Sequence, residues 1–408
     1  MKQFSSFLTE QKNTHMEHLE DMMFNDGVEG ARLAITSLQS LRDMLSGRSK
    51  RAVNVTVKWD GAPAIFAGVD PSDGKFFVAK KGIFNVRPQL FKSEADIAAG
   101  LSGDLKNKFT IALREFSKLG IRKGVYQGDL MFTKGDVKVI SIGGEKYYSF
   151  QPNTIVYVIP VNSALGRQIA RASIGVVWHT TYTGNKIQNM KASFGKGIAN
   201  KFKSVNSVWM DDATYRDVSG NATFTEEETA EVTALLSQAG SLFKKVSSQA
   251  LSTIRDDEEL KQKIKTYNNT FVRAGEPFPE PKAHVKGLYD YITDWYQKEI
   301  DKKKQEKTKQ EWTARRDTVL KKVFQNTEDL VNIFRLMNVL VQAKQKVIDK
   351  MNNASRMGTF LRTNKGFVTT SQEGYVAIDR VGRAVKVVDR LEFSKANFSS
   401  DVLKGWQK

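Results

Sequence analysis

The sequence predicts an α+β protein, in which a domain built on antiparallel sheets follows N-terminal helices and is interrupted by a large helical insertion. Three observations lead to this class. Apolar residues recur at near-helical spacing before residue 50, apolar and polar residues alternate from Val53 onward, and a stretch rich in Lys, Glu, Gln, Leu and Ala separates two sets of strand-like runs. A chain of 408 residues is long enough for two or three domains.

The N-terminal segment, residues 1–50, is predicted to be helical. Gly47 is placed to end its last helix, because glycine readily adopts the left-handed conformation that follows a helix. The apolar residues that recur at near-helical spacing are Leu33, Ile35, Leu38, Leu41 and Leu45.

Strand-like runs follow, separated by turn residues. The clearest turn, Asp70–Gly74, predicts a hairpin between the second and third runs. The runs are Val53–Val57, Ala64–Val69, Phe76–Ala79, Val125–Phe132, Thr154–Ile159 and Ile174–Tyr182.

Residues 224–357 have a helical composition, broken once by the Pro-rich stretch Pro277–Pro281. Strand-like runs then return at Gly366–Thr369, Gly374–Ile378 and Ala384–Val388. The simplest organisation has three parts, which are an N-terminal helical segment at 1–50, a sheet domain made from 51–220 and 365–408, and a helical insertion at 221–364.

The charge balance favours a polyanionic partner. Lysine and arginine total 63 residues against 45 aspartates and glutamates, a net charge of +18, and each phosphate contact would release counterions. The chain has no cysteine, so disulfides and thiolate zinc sites are excluded. No apolar run approaches the roughly 18 residues of a membrane-spanning helix. We therefore expect a cytoplasmic protein that binds nucleic acid and no membrane; a basic protein without such a partner is the alternative.

The most informative run leads to Lys58. Strand alternation separates the valines at 53, 55 and 57 from the polar residues at 54, 56 and 58, so burial of the apolar face leaves Lys58 free to line a cleft. The turn made by Asp60 and Gly61 follows at once. A nucleophilic lysine must be neutral, which requires loss of water or neighbouring cations, and Lys80 and Lys81 are candidates for the latter. The alternative interpretation is a surface lysine before a turn.

Further segments place charged residues on strand-like runs. Gly128-Asp129 brings a carboxylate into the fourth run, and Glu373 precedes the run that begins at Gly374. Lys386 lies in the next run, so these last two runs are predicted to form a hairpin with Lys386 beside the strand that Glu373 begins. The carboxylates could hold Mg²⁺ and a ribose, and the lysine could meet phosphates. Each residue alone could equally be an edge charge or part of a salt bridge.

Taken in order, these segments resemble the motif set of the covalent nucleotidyltransferase superfamily, which comprises ATP-dependent DNA ligases, RNA ligases and mRNA capping enzymes. The resemblance covers residues 51–160 and 365–395. The matching motifs are the nucleophile run Lys58-Trp59-Asp60-Gly61, the basic-glycine pair Lys81-Gly82, the acidic Gly128-Asp129, the run Glu373-Gly374-Tyr375-Val376 and the final Lys386.

The resemblance implies a ligase-type nucleotidyltransferase domain in which Lys58 attacks ATP and carries the nucleotide as a covalent adduct. It implies catalytic roles for Lys58, Glu373 and Lys386, of which Lys386 contacts the triphosphate. Asp129 and Glu373 are the implied ligands of Mg²⁺ or Mn²⁺. The implied nucleotide-binding residues are Asp60, Gly61, Lys81, Asp129, Glu373 and Lys386.

Three features depart from the family pattern. Many ligases carry an arginine shortly after the glycine of the nucleophile motif, but here the apolar stretch Ala62–Phe66 follows Gly61. Val388 stands where the last motif usually has its second lysine, with Arg390 as a candidate substitute. More than two hundred residues separate Asp129 from Glu373, which requires the helical block to be an insertion.

The resemblance therefore implies an ATP-dependent polynucleotide ligase that joins 5′-phosphate and 3′-hydroxyl ends of RNA or nicked DNA. Only about twenty residues follow Lys386, too few for the OB-fold domain of DNA ligases and capping enzymes, so an RNA ligase-like enzyme is favoured. The alternatives are a DNA ligase, a guanylyltransferase, a protein-modifying nucleotidyltransferase, and a non-catalytic nucleic-acid-binding protein with the same fold.

Two further predictions concern His179 and the helical insertion. His179 is interpreted as a hydrogen-bonded histidine in a buried strand, with a catalytic base as the alternative. The insertion carries basic stretches that we expect to contact a nucleic-acid backbone without reading its sequence; the alternative is a solvated or protein-docking helix. The cations assigned to this contact are Lys302, Lys303, Lys304, Arg315 and Arg316.

Overall fold

A computed structural model describes most of the chain. Predictions that concern residues 1–16, Val53 or the domain boundary near residue 221 lie outside the described residues. The described ranges are 17–48, 54–194, 197–215, 222–354, 357–364, 366–379 and 383–407.

The described residues form a mixed α+β fold with mainly antiparallel sheets, as the sequence predicts. The helices are α1 Met22–Asn25, α2 Gly27–Leu45, α3 Glu94–Gly100, α4 Gly103–Phe116, α5 Ala164–Arg171, α6 Glu226–Lys245, α7 Ser248–Asp256, α8 Glu258–Ala274, α9 Pro281–Asp301, α10 Glu306–Gln325, α11 Thr327–Asn352 and α12 Lys395–Phe398. The strands are β1 Asn54–Lys58, β2 Ala64–Val69, β3 Phe76–Ala79, β4 Val125–Thr133, β5 Lys138–Ile142, β6 Glu145–Phe150, β7 Ile155–Pro160, β8 Ile174–Thr183, β9 Lys191–Phe194, β10 Val208–Asp212, β11 Gly358–Thr363, β12 Gly366–Thr369, β13 Gly374–Ile378 and β14 Ala384–Val387.

The helical prediction for the N-terminal segment is confirmed where the structure describes it. Helix α2 buries Leu33, Leu38 and Leu41, three of the residues whose spacing predicted it. The helix ends at Leu45, and Gly47 then adopts a φ of +68°, which lets the chain leave the helix.

The helices of the helical block begin and end at residues that commonly start or stop helices. Helix α6 starts after Thr225, whose hydroxyl accepts a hydrogen bond from the Glu228 amide while the Glu228 carboxylate accepts one from the Thr225 amide. Helix α9 has Pro281 in its first turn, where a missing amide hydrogen does no harm. Helix α8 ends before Gly275, which has a φ of +71°.

The strands form three sheets. Sheet I has the order β1-β13-β14, and sheet III has the order β12-β11-β7-β6-β5. Sheet II has the order β10-β8-β4-β2-β3, with β9 also paired to β8. Neighbouring strands run antiparallel except β10 and β8, which run parallel.

Sheet I lies between the helices and the rest of the molecule. Its strand alternation points Val55, Tyr375, Ala377 and Val385 into one core with the helices, and leaves Lys58 on the opposite face. The predicted polar face of β1 is therefore confirmed. The other edge of β1 bonds to residues 213–215, which follow β10, so sheet I is joined to sheet II near Lys58.

The N-terminal helix α2 and the helices of the helical block share one core. Helix α2 shares one hydrophobic cluster with α6 to α11 and with sheet I. Strand β11 lies within the range 221–364 that the sequence assigned to the helical insertion, yet it pairs with β7 in sheet III. The composition of residues 224–357 could not reveal this pairing, because β11 begins only at Gly358.

Sheets II and III pack face to face. Met131 and Val177 from sheet II meet Ile155, Tyr157 and other residues of sheet III in a shared cluster. The opposite face of sheet II is covered by α3 and α4. Asp129 lies two residues before Met131 on β4 and therefore points to the side where the two sheets meet, at the edge that sheet I closes.

Candidate functional site

Lys58 and Glu373 come together because β1 and β13 are neighbours. The strand register pairs Lys58 with Gly374, so Glu373 lies beside the end of β1, and Lys58 Nζ donates a hydrogen bond to Glu373 Oε1. Gly374 has a φ of +144°, and a Cβ there would lie 2.8 Å from the Val387 carbonyl oxygen. Only glycine fits, which explains why Glu373 is followed by glycine.

Asp60 fixes the turn that follows Lys58. Its carboxylate accepts hydrogen bonds from the Asn153 side chain (2.6 Å) and from the amides of Thr154 (2.6 Å) and Ile155 (2.7 Å). Its own amide donates to the Tyr157 hydroxyl at 2.9 Å. Asp60 is buried and both oxygens are engaged, so its contacts are those of a residue that positions Lys58.

Gly61 lets this turn lie against Asp129. A Cβ on Gly61 would be 2.5 Å from the Asp129 Cβ, closer than two carbon atoms can approach. The turn therefore needs glycine to bring the Lys58 strand next to the acidic residue of β4. Asp129 and Lys58 are close enough for the lysine charge to act on the carboxyl group.

A β-bulge brings His179 to Asp129. Gln127 pairs with Thr180 and Gly128 pairs with Trp178, so His179 is the extra residue on β8. The bulge points the imidazole towards Asp129, with Nε2 3.8 Å from Asp129 Oδ2 and Nδ1 2.7 Å from Thr180 Oγ1. His179 is thus hydrogen-bonded on a strand, as predicted, and also stands next to the predicted acidic residue.

Lys386 faces the same cleft. It pairs with Val376 on β13, and Val376 pairs with Thr56 on β1, so Lys386 shares the sheet face of Lys58. The predicted hairpin of the last two runs is confirmed. Burial and the nearby Lys58 charge lower the pKa of Lys386, whereas Glu373 opposes them. We call Lys58, Asp129, His179, Glu373 and Lys386 the Lys58 cleft.

The carboxyl groups of the Lys58 cleft have unusual pKa values. Burial raises the pKa of Glu373 to about 7, although Lys58 opposes the shift. Burial raises the pKa of Asp129 to about 7 as well, again against Lys58. Burial and the Lys58 charge lower the pKa of His179 to about 4, which keeps the imidazole neutral at pH 7. Strongly shifted groups that share a partly open cleft are typical of functional sites.

Arg390 does not replace the second lysine of the last motif. It is buried, and its guanidinium contacts Asp21 at 3.2 Å and Asn269 at 2.5 Å. The sequence could not show this, because Asp21 lies 369 positions away. Val388 is buried in the core between sheets II and III.

Lys81 is exposed, just past the end of β3. Phe66 of β2 pairs with Ala79 on one side and Gln127 on the other, and Ala64 pairs with Asp129, so Lys81 lies at the end of sheet II that carries Asp129. No hydrogen bond or ion pair connects Lys81 to the Lys58 cleft within the described ranges. Lys81 thus lies at the same end of sheet II as Asp129, and its predicted role in nucleotide binding stays a prediction.

Most of the cations assigned to nucleic-acid contact already have partners. Lys302 Nζ lies 2.6 Å from Glu299, Arg315 Nε 2.7 Å from Glu259, and Arg316 Nε 2.9 Å from Asp317. Lys303 lies 4.2 Å from the Trp312 ring centroid and 3.8 Å from Glu299. Lys304 is exposed, and over the part of the chain that the structure describes it has no ion pair.

The donor set suits Mg²⁺ carried by a nucleotide better than a metal held by the protein alone. Among the described residues no group of three or more His, Cys, Asp and Glu side chains could hold a metal ion. Mg²⁺ usually takes one or two carboxylates together with substrate phosphates, and Asp129 and Glu373 can supply these. Burial raises the pKa of both carboxyl groups, and the Lys58 charge opposes the shift.

His179 and Tyr157 are the site residues whose position the sequence does not reveal. A β-bulge cannot be read from a run such as Ile174–Thr183, because nothing in the sequence marks which residue is left without a partner on the neighbouring strand. Tyr157 reaches the Asp60 amide from the facing sheet, a contact across 97 positions. The available signal is the change from the mainly apolar first half of the strand to the threonine-rich second half that begins at His179.

The fold and the site define a mixed α+β protein with a lysine and two carboxyl groups brought together where its sheets meet. A family model, described as a family of unknown function (DUF6267), matches residues 13–402. The chain belongs to this family. No curated protein and no solved structure matches it. Within the described residues, no helix has the length and apolar character to cross a membrane.

Proposed function

We propose that the chain is a nucleotidyltransferase that forms a covalent lysine–nucleotide adduct and uses it as an ATP-dependent polynucleotide ligase of the RNA ligase kind. The observation that carries the proposal is the ion pair of Lys58 with Glu373, beside Asp129 in a half-buried cleft. A surface lysine before a turn, the alternative interpretation, would need neither partner.

In the first step, the Lys58 amine attacks the α-phosphorus of ATP. A P–N bond forms, the bond between the α-phosphorus and the bridging oxygen breaks, and pyrophosphate leaves with the electron pair. The ammonium first gives one proton to Glu373, which is in contact with it, and the nitrogen loses a second proton to pyrophosphate. A carboxylate with a pKa of about 7 is suited to accept a proton near neutral pH.

The other residues of the Lys58 cleft would bind the nucleotide. Lys386 would attract the triphosphate, and Asp129 would accept a hydrogen bond from the ribose or bind Mg²⁺ together with Glu373. Mg²⁺ or Mn²⁺ would supply positive charge that stabilises the developing charge on the phosphates. Asp60 would hold the turn that presents Lys58, through its hydrogen bonds to the start of β7.

In the later steps, the adenylate passes to a 5′-phosphate end, and a 3′-hydroxyl displaces AMP to seal the strand. The net charge of +18 supports a nucleic-acid substrate. The cations of the helical block, Lys304 above all, are proposed to contact its backbone.

The test is self-labelling with α-labelled ATP or GTP and Mg²⁺, followed by denaturing electrophoresis. We expect a labelled band at 45.9 kDa with ATP, its loss in Lys58→Ala, and a decrease of about 10² or more in Glu373→Ala. Lys346→Ala, which removes a surface lysine of α11, is the matched control and should label normally.

Other outcomes select the alternatives. A band with GTP alone would favour a guanylyltransferase, and label on an added protein would favour a protein-modifying enzyme. A protein that binds nucleic acid without any label would favour the non-catalytic interpretation. Normal labelling of Lys58→Ala would remove Lys58 from the mechanism.

A further inference from the structure

The segment Val402–Gln407 is firmly held although it forms no regular strand. Its backbone bonds to β11 through Leu403 and Arg362 (2.8 Å) and to the β6–β7 turn through Gly405 and Asn153 (2.7 Å). The Gln407 amide bonds to the Lys404 carbonyl at 3.0 Å, which closes a turn with Trp406 at its tip. We call Val402–Gln407 the C-terminal strap.

Trp406 is nevertheless 66 % exposed. Arg362 stabilises the turn that carries Trp406, because its Nη2 donates hydrogen bonds to the carbonyls of Lys404 (3.0 Å) and Gln407 (2.6 Å). Gly405 has no room for a side chain, since a Cβ there would lie 2.1 Å from the Gln151 carbonyl oxygen. A large aromatic ring is therefore held in solvent by an ordered backbone.

A second exposed aromatic ring lies beside the same guanidinium. Phe367 of β12 is 51 % exposed and pairs directly with Arg362 of β11, so both side chains are on one face of sheet III. Phe360 lies next along that face, with its ring 6.4 Å from the Phe367 ring in an edge-to-face arrangement. Trp406 and Phe367 thus border Arg362 on an outer sheet surface.

Arg362 and Lys404 are the cations of this region, and Asp60 is a carboxylate whose charge acts on Lys404. Arg362 donates to backbone carbonyls, and Lys404 Nζ donates to the Ala396 carbonyl (2.9 Å) and the Thr154 hydroxyl (3.3 Å). Neither residue forms an ion pair with another described residue. The cations Lys302 and Arg315 of the helical block differ, because each contacts a glutamate.

We propose that Trp406, Phe367 and Arg362 form a binding surface for single-stranded nucleic acid. Exposed aromatic rings on a fixed backbone are platforms on which unpaired bases stack, and cations between them attract the phosphates. A protein or membrane partner would also cover aromatic residues, but Arg362, which has no ion pair with another described residue, and the net charge of +18 favour a polyanion.

The surface is connected to the Lys58 cleft by two hydrogen bonds. The Gly405 amide binds the Asn153 carbonyl, and the Asn153 side chain binds Asp60, which shapes the turn after Lys58. A nucleic-acid strand whose bases stack on Trp406 would therefore lie near the Lys58 cleft, separated from it by the β6–β7 turn that contains Asn153. The binding itself does not depend on the proposed nucleotidyl transfer, so the two can fail separately.

The experiment measures binding of fluorescein-labelled single strands of about 16 nucleotides, oligo(dT) and oligo(U), by fluorescence anisotropy with the full chain. We expect Trp406→Ala and Phe367→Ala each to weaken binding by about fivefold to a hundredfold, and Trp406→Phe to retain most of the affinity. A blunt duplex of the same length should be affected much less, since its bases are already stacked.

Phe324→Ala is the matched control, because Phe324 is a 75 % exposed aromatic residue on helix α10. It should bind both single strands as the unmodified chain does. Single-strand affinities of Trp406→Ala and Phe367→Ala equal to that of Phe324→Ala would overturn the proposal. An equal loss for duplex and single strand would also overturn it, since the rings would then not be stacking on bases. Self-labelling of Lys58 in Trp406→Ala should be unchanged, which separates this surface from the chemistry.

Discussion

Two clusters of buried charge in this molecule differ in how their charges are paired. The first, the buried ion network, consists of Glu20, Asp21, Lys344 and Arg390, none of which is more than 8 % exposed. Lys344 Nζ contacts both oxygens of Glu20, at 2.8 and 2.9 Å, and Arg390 contacts Asp21 at 3.2 Å. Burial alone would raise the pKa of Glu20, but Lys344 and Arg390 outweigh it and lower the pKa to about 2.

The second cluster, the Lys58 cleft, holds the same number of lysines as carboxylates but forms one close ion pair, between Lys58 and Glu373. Asp129 faces the neutral His179 at 3.8 Å, and Lys386 shares the sheet face of Lys58 and forms no ion pair with another described residue. The side chains of Lys58 and Asp129 are 27 % and 24 % exposed. Both carboxyl groups have a pKa raised to about 7.

The two clusters differ in how many of their charged groups are in direct contact with an opposite charge, and not in the number of charges. The buried ion network joins the N-terminal helices to α11 and to the helical segment that begins at Arg390. Its close contacts lower the pKa of Glu20, whereas burial still raises the pKa of Asp21 although Arg390 opposes it. The Lys58 cleft keeps groups that a ligand could still satisfy, because its charges lie close together but are mostly not in contact. Incomplete pairing with partial exposure is what a binding site for phosphates and a divalent cation requires.

The largest effect on stability is expected from the buried ion network. Lys344→Ala should lower the free energy of unfolding by about 3–5 kcal/mol, because Glu20 would keep its buried charge without its closest partner. Urea denaturation followed by circular dichroism measures this. Lys346→Ala, two residues further along α11, removes an exposed ion pair with Glu231 and should leave the unfolding transition nearly unchanged. Similar transitions for the two variants would show that the buried ion network is not structural.

A smaller effect of opposite sign is expected in the Lys58 cleft. The pKa of Asp129 is about 7 in the fold against 3.8 for the ordinary group, so the folded chain keeps a proton that the unfolded chain loses above pH 4. Stability from this group therefore falls as the pH rises from about 4 to 7. Asp129→Asn cannot ionise, and it should raise the free energy of unfolding by about 1–2 kcal/mol at pH 8 and have little effect at pH 4.

Denaturation curves of Asp129→Asn and the unmodified chain at both pH values measure this difference. Glu20→Gln should show the reverse pattern, because the pKa of Glu20 is lowered and its contribution is present above pH 4.5 and lost as the pH falls towards 2. If Asp129→Asn were destabilising at pH 8, the cleft would be paired as completely as the buried ion network, and the comparison would fail.

The sequence could predict the local part of the Lys58 cleft, but neither its long-range pairing nor the buried ion network. The alternation of β1 identified the polar face of Lys58, and the short loop after Ile378 identified the hairpin that carries Lys386. The pairing of β1 with β13 spans 315 positions between Lys58 and Glu373, and only the order of motifs pointed to it. Nothing local marks Glu20 and Lys344 as partners, because they are 324 positions apart and each lies in an ordinary helical context.

The smallest effect is expected from the cations of the helical block. A cation that already contacts a carboxylate neutralises little additional phosphate charge, so Lys302, Arg315 and Arg316 should release few counterions when nucleic acid binds. Replacing Lys302, Lys303, Lys304, Arg315 and Arg316 together with Gln should therefore reduce the slope of log K against log salt by about one rather than by four or five. Lys304→Gln alone should reproduce most of that change, since Lys304 is exposed and has no ion pair with any other described residue. Anisotropy titrations at several salt concentrations measure both slopes. A fall of four or five in the five-fold variant would mean that the ion pairs open to receive the phosphates, so that the helical block, like the Lys58 cleft, has charges available for a ligand.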